Sequence, residues 1–82
     1  MAELREGEKE IFPGITVLEG RRGGKPCIAG TRLTVVDVLE YLSSEMTLQE
    51  ILEDFPFLSM NDIKTVLAFA AAHMKEELNK AA

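Results

Sequence analysis

Three consecutive residues that could take part in binding or catalysis, Gly30, Thr31 and Arg32, lie in the stretch Gly24–Val35, which reads GKPCIAGTRLTV. Gly30 can adopt a backbone conformation closed to other residues, Thr31 brings a hydroxyl, and Arg32 brings a fixed guanidinium. The apolar residues around them predict a corner between a strand and a helix. Such corners often carry function, because a rigid scaffold aims their side chains. The alternative is structural: the corner only turns the chain, and Arg32 caps carbonyl groups or pairs with an acid of the next helix.

The sequence offers little for catalysis or metal binding. Nucleophilic catalysis needs Cys27 or a serine beside a base, but the one histidine, His73, is far from Cys27 along the chain. A zinc site needs about four closely spaced ligands, which one cysteine and one histidine do not supply. The pair Gly23–Gly24 indicates a turn rather than a phosphate-binding loop. We expect a buried apolar role for Cys27, no enzymatic activity, no metal and no cofactor.

Charge is distributed unevenly along the chain. The formal net charge of -5 argues against non-specific nucleic-acid binding by the chain as a whole. No acid lies between Glu19 and Asp37, and no base lies between Leu33 and Ile63, so we expect a basic end and an acidic helical face. A solvated surface is the alternative explanation for the acids. The bases in the first gap are Arg21, Arg22, Lys25 and Arg32, and the acids in the second are Asp37, Glu40, Glu45, Glu50, Glu53, Asp54 and Asp62.

The 82 residues make one small domain. A chain of this length has a thin core, so dimerisation would help, and we expect a homodimer. No apolar run approaches the roughly 18 residues of a membrane span, and the acidic N-terminus is unlike a signal peptide. A single cysteine fits a reducing cytoplasm. We expect a flexible segment over 1–10 and a single domain over 11–82, with no membrane contact.

Two short strands and three helices are predicted. A strand over 15–18 follows a Pro-Gly turn and pairs with a return strand over 25–28, which gives a hairpin. Thr34, Thr47 and Ser59 each precede an acid by three residues, which is the pattern of a helix N-terminal capping box. The predicted helices cover about 35–44, 48–54 and 60–79. The expected fold is mainly α, a three-helix homeodomain-like helix-turn-helix with a short N-terminal β-hairpin.

The string GKPCIAGTRLTVVDVLEYL, followed by MTLQEILEDFPFLSMNDIKTVLAFAA, resembles the prokaryotic domain-of-unknown-function family 433 (DUF 433). The family pattern is roughly "G.PCI.GTR..V", a helix end "EEIL.DYP.L" and a final helix that opens "..DI..AL.YA". The resemblance covers about 15–73, and Phe55 stands where the family commonly has tyrosine. The family motif is represented by Gly24, Pro26, Cys27, Ile28, Gly30, Thr31 and Arg32.

This resemblance implies a helix-turn-helix-like fold. Many members look like the antitoxin half of a toxin–antitoxin pair, beside a nuclease-like toxin of the PIN type. The resulting expectation is an antitoxin-type regulator that binds such a toxin, with its own promoter DNA as a further candidate ligand. The alternative is a structural or accessory protein-interaction domain with no nucleic-acid contact.

Two sets of candidate residues follow from this expectation. In a helix-turn-helix the second helix lies in the major groove, where asparagine can pair with adenine and lysine can reach guanine or phosphate. The DNA-side candidates are Arg21, Arg22, Lys25, Arg32, Asn61, Lys64 and Thr65. An antitoxin gains association rate when its acids face a basic RNA-binding cleft. The partner-side candidates are Glu50, Glu53, Asp54, Phe57 and Leu58.

Overall fold

The computed structural model describes residues 4–81. An antiparallel sheet of three short strands precedes three helices, so the predicted helices are present and the sheet has one strand more than expected. The elements are β1 (Lys9–Phe12), β2 (Ile15–Val17), β3 (Cys27–Ile28), α1 (Val35–Ser43), α2 (Leu48–Asp54) and α3 (Met60–Ala81), with a single 3-10 turn over Arg22–Gly24 between β2 and β3.

The sheet has the strand order β1-β2-β3. The predicted hairpin is formed by β2 and β3, in which Ile15 lies opposite Ile28. The additional strand β1 pairs with β2 through a tight turn at Gly14, whose φ of 87° favours glycine. The strand β1 includes the last two residues of the segment expected to be flexible, and residues 1–3 of that segment lie outside the described residues.

All three helices begin with a reciprocal capping box, as predicted. Each hydroxyl accepts a hydrogen bond from the backbone N–H three residues later, at 2.9–3.2 Å. Each acid in turn accepts from the N–H of the capping residue, at 2.9–3.1 Å. The pairs are Thr34 with Asp37, Thr47 with Glu50, and Ser59 with Asp62. These local bonds explain why the helix starts could be read from the sequence.

The core lies between the sheet and the three helices. Its buried members are Ile15, Ile28, Leu33, Val35, Val38, Ile51, Leu58, Ile63 and Val66. The second half of α3 leaves this core, since every residue over 71–80 is exposed. Within the described range 4–81, none of the helices combines the length and the apolar character that crossing a membrane requires.

Candidate functional site

The segment Ala29–Arg32, called here the 29–32 loop, reverses the chain between β3 and α1. The N–H of Ile28 donates to the Leu33 carbonyl at 3.0 Å, which closes the loop. The Thr31 hydroxyl donates to the Ile28 carbonyl at 2.9 Å and accepts from the Leu33 N–H at 3.0 Å. Gly30 has a φ of 77°, which the turn requires. The Thr31 hydroxyl is therefore used to shape the loop, and Arg32 is left at its exposed tip.

The motif residues before the loop are structural. Cys27 is completely buried and its thiol donates to the Lys25 carbonyl at 3.4 Å, which agrees with the apolar role expected from the sequence. The Pro26 carbonyl accepts from the Val35 N–H at 3.0 Å and so ties β3 to the start of α1. Gly24 is exposed and closes the 3-10 turn with a φ of 80°. These contacts hold the 29–32 loop in place.

Arg21 does not face solvent, although it was predicted as part of a basic loop. Its side chain is 5% exposed and forms an ion pair of 3.0 Å with Glu8. The same guanidinium donates to the carbonyl of Thr16 at 3.0 Å and to its hydroxyl at 2.8 Å. Arg21 thus joins the turn after β2 to the residue before β1, and it is unavailable to a nucleic-acid phosphate.

Glu8 is held as a carboxylate by this cluster. It accepts from the Arg5 backbone N–H at 2.8 Å, from the Thr16 hydroxyl at 2.6 Å and from Arg21. These hydrogen bonds outweigh the effect of burial and lower the pKa of Glu8 to about 2. The buried ion pair is therefore intact throughout the neutral range.

Arg22 is also paired, although it is more exposed than Arg21. Its guanidinium lies 2.7 Å from the Asp37 carboxylate and donates to the Arg32 carbonyl at 3.0 Å. Burial alone would raise the pKa of Asp37, but the hydrogen bonds from Arg22 and from the Thr34 N–H lower it overall. The acid at the start of α1 is thus paired by Arg22, where the sequence offered Arg32 as its partner.

Arg32 borders a small cavity of about 150 Å³. Among residues 4–81 neither Arg32 nor Arg5 forms an ion pair, and both are exposed. The cavity is lined by Arg5, Glu8, Arg21, Gly30, Thr31 and Arg32. Arg5 and Glu8 were missed from the sequence, because no local pattern links them to a loop more than 20 residues away.

Phe57 lies on the other side of the 29–32 loop. It is 60% exposed and lines, with that loop, an open depression of about 530 Å³. Its ring contacts Phe55 at a centroid distance of 6.0 Å, and Phe55 stacks on Tyr41 of α1 at 5.5 Å. The structure thus brings together Arg32 and Phe57, which the sequence had assigned to different surfaces.

Of the remaining partner-side candidates, one is buried and three are exposed. Leu58 is 7% exposed and belongs to the core, so it cannot contact a partner directly. Glu50, Glu53 and Asp54 are exposed on α2. Glu50 caps the helix and Glu53 accepts from a neighbouring glutamine, but both carboxylates remain at the surface. The acidic face predicted from the sequence is therefore present on α2.

Of the DNA-side candidates on α3, two are exposed and one is half-buried. Asn61 and Lys64 are exposed on the first two turns of the helix. Thr65 is half-buried, and its methyl group lies so close to Gly14 that a Cβ added there would be 3.0 Å away. Lys25 is exposed in the loop before β3. Three of the seven candidates, Arg21, Arg22 and Thr65, are therefore engaged within the fold.

A separate apolar groove of about 400 Å³ lies between α1 and α3. Its lining includes Val36, Leu39, Phe69, Ala70 and Met74. Val36 and Met74, which line the same groove, are 52% and 58% exposed, and exposed apolar patches often mark sites of protein contact. This surface is a candidate interface between protein chains.

The described residues form a small domain of a three-stranded sheet and three helices, with exposed arginine, aromatic and apolar side chains. The family model described as "Protein of unknown function (DUF433)" matches residues 15–70. The chain therefore belongs to DUF433, and the family predicted from its motif is confirmed. No curated protein and no solved structure matches the chain.

Proposed function

We propose that this protein is an antitoxin-type regulator that binds a nuclease-like toxin of the PIN type through the surface around Phe57. The observation that carries this proposal is the exposure of Phe57 at 60%, beside Phe55, whose ring it contacts at a centroid distance of 6.0 Å. An aromatic side chain has few rotatable bonds and so loses little entropy on binding, and aromatic residues are enriched among the residues that dominate interface energies.

The surroundings of Phe57 support a protein partner. Arg32 lines the same depression, and arginine is the charged residue type that is enriched, together with aromatic residues, among those that dominate interface energies. The adjacent helix α2 presents Glu50, Glu53 and Asp54 to solvent. A nuclease cleft that binds RNA is basic, so these acids would speed association with it. The combination matches a toxin better than it matches DNA.

The same proposal includes a homodimer formed through the α1–α3 groove. A folded monomer of 9.1 kDa is expected to expose about 4,900 Å², whereas this chain exposes 5842 Å². The excess is similar to the roughly 800 Å² that each partner buries in a stable interface. The exposed turns over 71–80 contribute to it.

The spacing of exposed apolar residues on α3 favours a second helix as the partner at the edge of this groove, where Met74 lines the groove and the other residues of the row lie beyond its lining. Leu67 and Met74 are seven residues apart and Leu78 follows four later, with exposures of 46%, 58% and 61%. This is the spacing of a coiled-coil seam. Ala70 and Ala71 between them permit close approach of a partner helix, so a second copy of α3 fits the surface.

A co-expression experiment tests the proposal. We predict a toxin of the PIN type encoded beside this chain, which should be toxic alone, harmless with the wild-type chain, and toxic again with Phe57→Ala. Ile11→Ala is the matched control, because Ile11 is an apolar residue of β1 with 47% exposure. Rescue by Phe57→Ala equal to that by the control would contradict the proposed surface. Absence of any rescue by the wild type would favour the accessory-domain alternative.

The homodimer has its own test. Light scattering after size-exclusion chromatography should give twice the monomer mass for the wild type and the monomer mass for Met74→Lys. A wild type that is monomeric at high concentration would contradict the dimer without affecting the toxin surface.

DNA binding through a homeodomain-like helix-turn-helix is the second candidate function. One observation favours it: Asn61 and Lys64 are exposed on the first two turns of α3, which follows α2 after a short connection. With Arg21 and Arg22 engaged elsewhere, few cations remain to neutralise phosphates. A gel shift with upstream DNA should lose its sequence-specific complex in Asn61→Ala; unchanged binding would exclude α3 as the reading helix.

A further inference from the structure

We propose that the cavity between Arg5 and Arg32 is a binding site for a phosphate-type oxyanion. The inference does not depend on the toxin or on the dimer. Its basis is that three arginines, Arg5, Arg21 and Arg32, line one small cavity of about 150 Å³, in a protein whose net charge is -5. Like charges repel, so a fold does not gather them without a compensating partner.

The residues that line the cavity carry more positive than negative charge, which favours binding of an anion. Arg21 is neutralised by Glu8 through their buried ion pair at 3.0 Å. Arg5 and Arg32 have no acidic partner within the part of the chain that the structure describes. Glu8 is the only acid in the lining, and both its oxygens already accept hydrogen bonds. Two positive charges therefore remain uncompensated.

Hydrogen-bond donors at the cavity point to the same ligand class. The backbone N–H groups of Gly30 and Arg32, two residues of the cavity lining, donate to no acceptor from the described residues. Arginine forks and free N–H groups are the donors that proteins use for phosphate.

The size of the cavity selects a small oxyanion. Its volume of about 150 Å³ is enough for a group of a few non-hydrogen atoms. A phosphate group has five non-hydrogen atoms, so it fits with both arginines beside it. The Thr31 hydroxyl is fully used within the loop and serves to position Arg32 rather than to bind. The same chemistry can come from free phosphate or from the phosphodiester of a nucleic-acid backbone.

Phosphate titration followed by NMR of the full chain tests the site. Inorganic phosphate, added at constant ionic strength, should shift the amides of the 29–32 loop and of Arg5 saturably, with a dissociation constant in the millimolar range. Arg32→Gln should weaken binding by about tenfold or more, which is the effect of losing one charge-assisted hydrogen bond. Arg5→Gln provides a second, independent variant. Both side chains are exposed, so the variants should keep the wild-type circular dichroism.

Lys64→Gln is the matched control, because it removes one exposed charge outside the cavity. Equal weakening by Lys64→Gln, or shifts scattered over the surface lysines, would overturn the proposal, as would the lack of saturable shifts. Dimethyl phosphate distinguishes the two sources. Binding as tight as that of inorganic phosphate would assign the site to a phosphodiester backbone, and binding of inorganic phosphate alone would assign it to free phosphate or a phosphomonoester.

Discussion

Replacing Arg21 by methionine should destabilise the protein strongly, because Arg21 joins β2 and the turn that follows it to Glu8, the residue before β1. Its guanidinium makes hydrogen bonds of 3.0, 3.0 and 2.8 Å to Glu8 and Thr16, and its side chain is 5% exposed. Methionine keeps most of the aliphatic stem, so the substitution mainly removes the charge and its hydrogen bonds. Glu8 would remain in a buried place without its cationic partner.

The size of the effect follows from this geometry. Removing one partner of a buried ion pair typically costs about 3–5 kcal/mol. We expect about 3 kcal/mol for Arg21→Met, since the Glu8 carboxylate keeps its bonds from Thr16 and the Arg5 N–H. A domain of this length has a free energy of unfolding of about 4–12 kcal/mol. A loss of 3 kcal/mol would lower Tm by about 12 °C or more.

Urea unfolding followed by circular dichroism measures this change. Arg22→Met is the matched control, because the same substitution at the next position breaks an ion pair whose arginine is 36% exposed. We expect the control to lower the unfolding midpoint by less than half as much. If Arg21→Met stays within about 1 kcal/mol of the wild type, or if the two variants lose equal stability, the structural role of Arg21 is refuted.

Three further predictions concern single residues. The pKa of Glu8 is lowered to about 2. Its ionised form therefore stabilises the fold above about pH 4.3, and this contribution is lost as the pH falls towards 2. In acid unfolding, Glu8→Gln should make the stability of the protein less dependent on pH between these two values. Gly14→Ala should lower Tm more than Gly20→Ala: both have φ near 86°, but only at Gly14 would the new methyl press on α3, at 3.0 Å. Thr34→Val removes a buried helix cap and should cost about 1–2 kcal/mol in urea unfolding, more than Thr47→Val at an exposed cap.

The helices could be predicted because their signals are local. A capping box needs only residues three apart, and the apolar face of each helix repeats over a few residues. The pairing of β2 with β3 was also predictable, since both strands are apolar and a glycine-rich segment joins them. The strand β1 was not predicted because Lys9 and Glu10 are charged. The Pro-Gly turn was predicted only to precede the strand over 15–18, whereas it links two paired strands.

The site could be predicted only in part, because its contacts are distant in sequence. Arg21 and Arg22 are adjacent and identical, yet one is paired with Glu8, 13 residues earlier, and the other with Asp37, 15 residues later. No local pattern distinguishes them. Leu58 is buried and the neighbouring Phe57 is exposed, in a connection too short to show a periodic pattern. Arg32 was singled out correctly as a residue at a loop corner.

Binding of this chain to a candidate toxin, a nuclease of the PIN type, measured by calorimetry, tests the central claim most directly. The wild type should bind it and abolish its nuclease activity. Phe57→Ala should weaken binding by about 30-fold or more, as expected for an aromatic residue that dominates an interface, and Ile11→Ala should leave the dissociation constant unchanged. Wild-type affinity in Phe57→Ala, or no binding by the folded wild-type chain, would contradict the proposed partner surface.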